Sequence, residues 1–114
     1  MFNKDVLKGK KILVTGGGTG LGKEMSEHYV QHGADLVICG RRESVLAETA
    51  SEFKDKYGVD VRYQPLDIRS PQDVEDFIDA VFEEGPLHGL VNNAAGNFIS
   101  VSYTHLTLPT ILRV

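Results

Sequence analysis

The sequence holds a single cysteine, Cys39, which rules out a disulfide framework and points to a reducing compartment. It also lacks a basic excess: 12 Lys and Arg stand against 16 Asp and Glu, a net charge of -4. A surface that tracks nucleic-acid phosphates needs the opposite balance, so a nucleic-acid partner is excluded. No stretch approaches the ~20 apolar residues of a membrane-spanning helix. Residues 1–11 carry Lys4, Lys8, Lys10 and Lys11 without an apolar core behind them, so they do not read as a signal peptide. His28 and His32 stand one helical turn apart, a zinc-compatible spacing, yet no third ligand or intervening Glu accompanies them and no metal is expected. Cys39 lies in an apolar run with only Arg41 nearby, which suits an inert core thiol better than a nucleophile. The remainder, 41% hydrophobic and 25% charged over 114 residues, is the make-up of one globular domain expected in the cytoplasm.

What the sequence has in quantity is glycine, and its densest stretch is Thr15-Gly16-Gly17-Gly18-Thr19-Gly20-Leu21-Gly22, directly behind Ile12-Leu13-Val14. A strand that stops in glycines and restarts as a helix presents backbone N–H groups at the positive end of a helix dipole. Such a turn cradles phosphate, and glycine suits it because a β-carbon would hold a pyrophosphate off the backbone.

Taken in order, residues 11–15 read as a buried strand and residues 19–31 as a helix stopped by Gly33, with Leu21, Met25 and Tyr29 on one stripe. Residues 35–39 give a second buried strand. Residues 44–57 give a second helix, with Leu46, Ala50, Phe53 and Tyr57 at helical spacing before Gly58. Residues 59–66 alternate as a third strand. Ser70-Pro71-Gln72-Asp73 carries an N-cap, a proline at the first helical position and an acid at the third. The helix it opens has Val74, Phe77, Ile78 and Val81 as its apolar stripe and ends at Gly85-Pro86. Residues 88–92 form a fourth strand. Four alternations of strand and helix imply an α/β fold: a parallel sheet with helices on both faces and a ligand at the carboxyl ends of the strands.

Three motifs therefore fall at three strand ends: the glycine turn, Asp67 after the third strand, and Asn92-Asn93-Ala94-Ala95-Gly96 after the fourth. Together they resemble the short-chain dehydrogenase/reductase family over about residues 8–100, with a Rossmann-type sheet. Thr-Gly-Gly-Gly-Thr-Gly-Leu-Gly combined with Asn-Asn-Ala-Ala-Gly-Asn-Phe-Ile-Ser is most similar to its 2,4-dienoyl-CoA reductases; 3-oxoacyl-carrier-protein reductases share most of the first motif. The resemblance implies that Thr15, Gly16, Gly17, Gly18, Thr19, Gly20, Leu21 and Gly22 hold the cofactor's pyrophosphate and ribose. It also implies that Asp67 and Ile68 meet the adenine, that Asn93, Ala94, Ala95 and Gly96 line the nicotinamide side, and that Arg69 and Phe98 face an acyl-CoA substrate. The competing reading of Asp67 is a turn acid ahead of Ser70, and that of Phe98 is an aromatic closing the core. A homo-oligomer, a tetramer, is implied for the whole protein.

Cofactor choice follows from the second strand's end. An NAD enzyme places an acid there to accept from the ribose hydroxyls, whereas this sequence reads Gly40-Arg41-Arg42. Two guanidiniums supply charge-assisted, forked bonds to a 2′-phosphate, which favours NADP (NADPH). The bland alternative leaves both arginines solvated, with Glu43 neutralising one of them. A second function class stays open as well, a non-catalytic Rossmann protein that senses the nicotinamide redox state.

The family's chemistry rests on a Ser and on a Tyr and Lys four residues apart, which are expected beyond this chain; Tyr103 is followed four residues on by Thr107. Residues 101–110, Val-Ser-Tyr-Thr-His-Leu-Thr-Leu-Pro-Thr, match a translation of GTC TCT TAT ACA CAT CTG ACG CTG CCG ACG, which resembles a transposase sequencing adapter. Residues 1–100 thus read as the N-terminal part of a dinucleotide-binding domain truncated after about the fourth strand, and residues 101–114 as a non-native tail. Such a fragment is expected to be inactive by itself.

Overall fold

The computed structural model describes residues 6–16, 18, 20–67, 69–92 and 110–113, with Asn92 and the last four described by backbone alone. Ile12, Leu13, Val14 and Thr15 are buried on both faces of β1 (Lys11–Thr15), as a central parallel strand requires. β1 pairs with β2 (Asp35–Gly40) on one side and with β4 (Gly89–Asn92) on the other, and β3 (Arg62–Pro65) pairs with β2. All pairs are parallel. The registers Thr15↔Cys39, Thr15↔Asn92 and Gly40↔Pro65 bring the carboxyl ends of the four strands to one edge of the sheet.

The two-residue period of a strand then divides the core. Ile12, Val14, Leu36, Ile38 and Val91 face one way, packed with Val30, Leu46 and Phe53 from α1 (Gly20–Gln31) and α2 (Glu43–Tyr57). Leu13, Val37, Cys39 and Leu90 face the other, packed with Val74, Phe77, Ile78 and Val81 of α3 (Pro71–Glu83). On the first face a surface network ties α1 to α2: Lys23 pairs with Glu52 at 2.9 Å, and the Tyr57 hydroxyl donates to Glu27 at 2.8 Å. At the opposite end of the sheet from the glycine turn, the His88 N–H donates to the Lys11 carbonyl at 2.8 Å. The Lys11 N–H donates back to His88 Nδ1 at 3.0 Å. This clip pins the register of β1 against β4.

Three expectations are corrected. The inward stripe of α1 is Gly22, Ser26 and Val30, one residue round from the predicted Leu21, Met25 and Tyr29. Small residues at the inward positions suit close approach of the helix to the sheet, which leaves Leu21 49% exposed and Met25 and Tyr29 half-buried at the margin. On α2 the buried position after Leu46 is Thr49 rather than Ala50. β3 is shorter than residues 59–66, because only Arg62 to Pro65 have partners on β2; Val59 and Val61 pack half-buried against the α1/α2 side.

The sheet also continues past β4. β5 (Thr110–Arg113) pairs with it in parallel, from Gly89↔Thr110 to Asn92↔Arg113, giving the order β3-β2-β1-β4-β5. β5 thereby takes up backbone groups that the outer edge of β4 would otherwise leave unpaired.

Candidate cofactor site

The end of β1 is drawn toward β2 before the turn begins: the Gly16 N–H donates to the Cys39 carbonyl at 2.8 Å. Gly16 adopts φ +69° and Gly20 φ +54°, left-handed conformations that cost an L-residue ~1–2 kcal/mol. Gly18 is glycine for a different reason. A β-carbon there would stand 2.9 Å from Val45 Cγ1 and 3.5 Å from Leu46 Cδ2, so α2 closes against the turn at that point. The buried Thr49 hydroxyl, one turn further along α2, donates to the Gly18 carbonyl at 3.3 Å.

A cleft of about 340 Å³ opens between this turn and the end of β2, lined by Gly16, Gly18, Gly40, Arg41, Arg42, Val45 and Leu46. Its floor is apolar. Its mouth carries Arg41 and Arg42, both exposed and without an ion pair or hydrogen bond from their side chains among the described residues. Glu43, the expected neutraliser, opens α2 but pairs with neither. The Arg42 carbonyl accepts from the Leu46 N–H at 3.1 Å, so the pair stands at the entrance to a helix.

Asp67 follows β3, whose exit is drawn alongside that of β2 by the Leu66 N–H donating to the Gly40 carbonyl at 2.7 Å, and it stands beside the cleft rather than among the residues that line it. Its carboxylate accepts from the Arg69 backbone N–H at 2.9 Å, from Arg69 Nε at 3.1 Å and from Nη2 at 3.3 Å. Those side-chain bonds, then the backbone bond, hold the Asp67 carboxyl below the usual carboxylate range, with Arg41 adding a weaker pull. The Arg69 guanidinium is raised in turn, by its hydrogen bonds to Asp67 first. Asp67 thus makes the hydrogen bonds of a turn acid, close to the Gly40 end of the cleft.

Of the remaining predicted site residues, Thr15 is fully buried and donates its hydroxyl to the Val91 carbonyl at 3.3 Å, locking β1 to β4 beneath the turn. Leu21 points outward and Gly22 inward on α1. Gly17, Thr19, Ile68, Asn93, Ala94, Ala95, Gly96 and Phe98 lie outside the described residues. Cys39 is buried on the α3 side of the sheet, and burial pushes its thiol up to about 12. Among the described residues no group of three or more His, Cys, Asp or Glu comes together; the His28 and His32 rings lie 4.4 Å apart. The sequence reading missed Val45 and Thr49 as shapers of the cradle. The available signal was a threonine at inward spacing between Leu46 and Phe53.

The family model for the short chain dehydrogenases matches residues 10–112. The chain belongs to that family. It is 38% identical over 89% of its length to a peroxisomal 2,4-dienoyl-CoA reductase of Arabidopsis thaliana, of which it covers 34%. It is 43% identical over 82% of its length to 2,4-dienoyl-CoA reductase 3 of Caenorhabditis elegans, of which it covers 31%. It therefore spans about a third of the length of the curated relatives it matches. Among solved structures, L-sorbose reductase from Gluconobacter frateurii, in complex with NADPH and L-sorbose, superimposes with a TM-score of 0.74 at 31% identity. That match covers 82% of this chain and 36% of the other. No described helix of the chain is long and apolar enough to cross a membrane.

Proposed function

We propose that this chain is the cofactor-binding part of an NADP-dependent oxidoreductase that reduces an acyl-CoA thioester, as its 2,4-dienoyl-CoA reductase relatives do. The observation that carries the cofactor choice is the cleft itself, where a glycine turn and two unpaired arginines share one rim with no acid at the end of β2. The residues fit the group: the turn at Gly18 and the start of α1 offer backbone to the pyrophosphate, and Arg41 and Arg42 offer forked donors to a 2′-phosphate. Asp67 would meet the adenine beside the cleft. Bound NADPH supplies a hydride to a conjugated double bond. The chain's part is to hold the pyrophosphate and adenosine ends rigidly, with the turn braced by Thr49 and Val45 from behind. The residues that would move a proton, a Ser and a Tyr-x-x-x-Lys pair, belong to the remainder of such a protein, as do the surfaces of its oligomer. We place the protein in the cytoplasm and take residues 101–114 as non-native, with β5 filling an edge that a native strand would otherwise occupy.

Titration of the purified chain with NADPH and NADH tests this reading. Tighter binding of NADPH, with no oxidation of it in the presence of a 2,4-dienoyl-CoA, is the expected result. Equal affinity for the two cofactors overturns the NADP assignment, and turnover by the 114-residue chain overturns its assignment as the binding part alone. An intact genomic reading frame running through the same tail would refute its non-native origin.

A further inference from the structure

We infer that Arg69 is a specificity-determining positioning residue that acts through Asp67: by occupying that carboxylate, it keeps Arg41 available to a 2′-phosphate. The inference rests on the NADP reading above and concerns how the same rim sustains it. Asp67 is brought beside the end of β2 by the Leu66-to-Gly40 hydrogen bond, and Gly40 pairs with Pro65 in the strand register. It therefore stands as a negative charge beside the strand end that carries Arg41 and Arg42, next to a cleft meant for an anion. Left bare, that carboxylate would repel a 2′-phosphate and attract Arg41, both effects working against NADPH. The structure meets the conflict locally. Arg69, two residues on, covers both carboxylate oxygens, with Nε on one and Nη2 on the other, while its own N–H holds Oδ1 in place. The fork geometry that suits Arg to a carboxylate leaves the acid's charge compensated without recruiting either arginine of the β2–α2 entrance. Arg41 acts on Asp67 only through space and more weakly than Arg69 does.

The resemblance to dienoyl-CoA reductases assigned Arg69 to the acyl-CoA. In this chain its guanidinium is held by Asp67, and the consequence is an acid covered by Arg69 beside two arginines that have no ion pair among the described residues. NADH, which lacks the 2′-phosphate, meets that pattern only through its more distant pyrophosphate, a contribution the two cofactors share. The ratio of the two cofactor affinities therefore isolates it from any loss of folding or of adenine contact.

The test is a fluorescence titration of NADPH and NADH against the full chain and four variants: Arg69→Met, Asp67→Asn, the two combined, and Arg41→Ala. Arg69→Met is expected to lower the NADPH-to-NADH affinity ratio by roughly 3- to 10-fold at low salt, with the loss collapsing near 0.5 M salt as screening shortens. Asp67→Asn in the Arg69→Met background is expected to restore the ratio, because the unpaired charge is gone. A ratio unchanged by Arg69→Met, or a loss that Asp67→Asn does not repair, overturns the inference while leaving the NADP reading intact, provided Arg41→Ala lowers the ratio. A ratio that Arg41→Ala leaves unchanged, or failure of the unaltered chain to prefer NADPH, overturns the NADP reading and the inference with it.

Discussion

Gly18→Ala separates two reasons for glycine in the turn. The new methyl would lie 2.9 Å from Val45 Cγ1 and 3.6 Å from the Val45 carbonyl carbon, against the ~3.5–4.0 Å at which carbon atoms pack best. The close partner must retreat by about half an ångström or more on that scale. Val45 is half-buried and sits in the first turn of α2, where a β-branched side chain has one strongly preferred rotamer. Swinging it out costs roughly 0.5–1.5 kcal/mol, and pushing the start of α2 away costs about 1–3 kcal/mol, as overpacking does. The expected loss is therefore about 1–2 kcal/mol, a fall in melting temperature of roughly 4–8 °C per kcal/mol for a domain of this size. Urea unfolding followed by far-UV circular dichroism measures it, with Gly18→Ala/Val45→Ala as the decisive partner. The double variant should recover most of the loss relative to Val45→Ala alone, because the clash has been removed. Gly20→Ala gives the contrast: nothing lies within 4 Å of its β-carbon, so its cost is conformational strain and Val45→Ala does not relieve it. A Gly18→Ala protein as stable as the parent, or a deficit untouched by Val45→Ala, would refute the claim that α2 dictates glycine at this position.

Thr49→Val leaves the Gly18 carbonyl without its buried donor, which is expected to cost ~1–3 kcal/mol in urea unfolding. Thr49→Ser, which keeps the hydroxyl, should recover most of it, and a loss in Thr49→Ser with none in Thr49→Val would mean that the methyl group matters instead. The Cys39 thiol is raised from its ordinary 9.0 to about 12 by burial. Its neutral form is thus favoured in the fold, a contribution fully present below pH 9 and lost as pH rises toward 12. Stability should fall more steeply across that window in the parent than in Cys39→Ala, and identical slopes would show that the thiol is not desolvated. At pH 8 a disulfide reagent should modify Cys39 only on unfolding; rapid labelling of the native chain would place the thiol outside the core.

The strand and helix order was legible because the signals were local and strong. The apolar run of β1, the Gly58 stop in left-handed conformation at φ 69°, and the Ser70 cap accepting from the Asp73 N–H all stand where the sequence put them. α3 was read correctly down to its four buried side chains, since its inward face is uniformly apolar. α1 was misread by one position because its inward residues, Gly22 and Ser26, are small rather than apolar, and periodicity weighs bulk. The arginines of the cleft were visible as residue types at a strand end. The hold of Arg69 on Asp67 was not, because a turn's side-chain hydrogen bonds depend on how the chain leaves β3. Thr49 escaped for a related reason: a buried hydroxyl declares itself only through a partner, the Gly18 carbonyl, that is distant in sequence.

In the proposed function Arg41 and Arg42 read a 2′-phosphate at the mouth of the glycine-turn cleft. Calorimetric titration of adenosine 2′,5′-bisphosphate against adenosine 5′-monophosphate isolates that phosphate from the nicotinamide half. The parent chain should bind the bisphosphate roughly 10-fold more tightly, the scale of one charge-assisted hydrogen bond partly screened by water. Arg41→Ala/Arg42→Ala should bring the two ligands level. Equal affinities in the parent, or a preference that survives the loss of both arginines, would contradict the account.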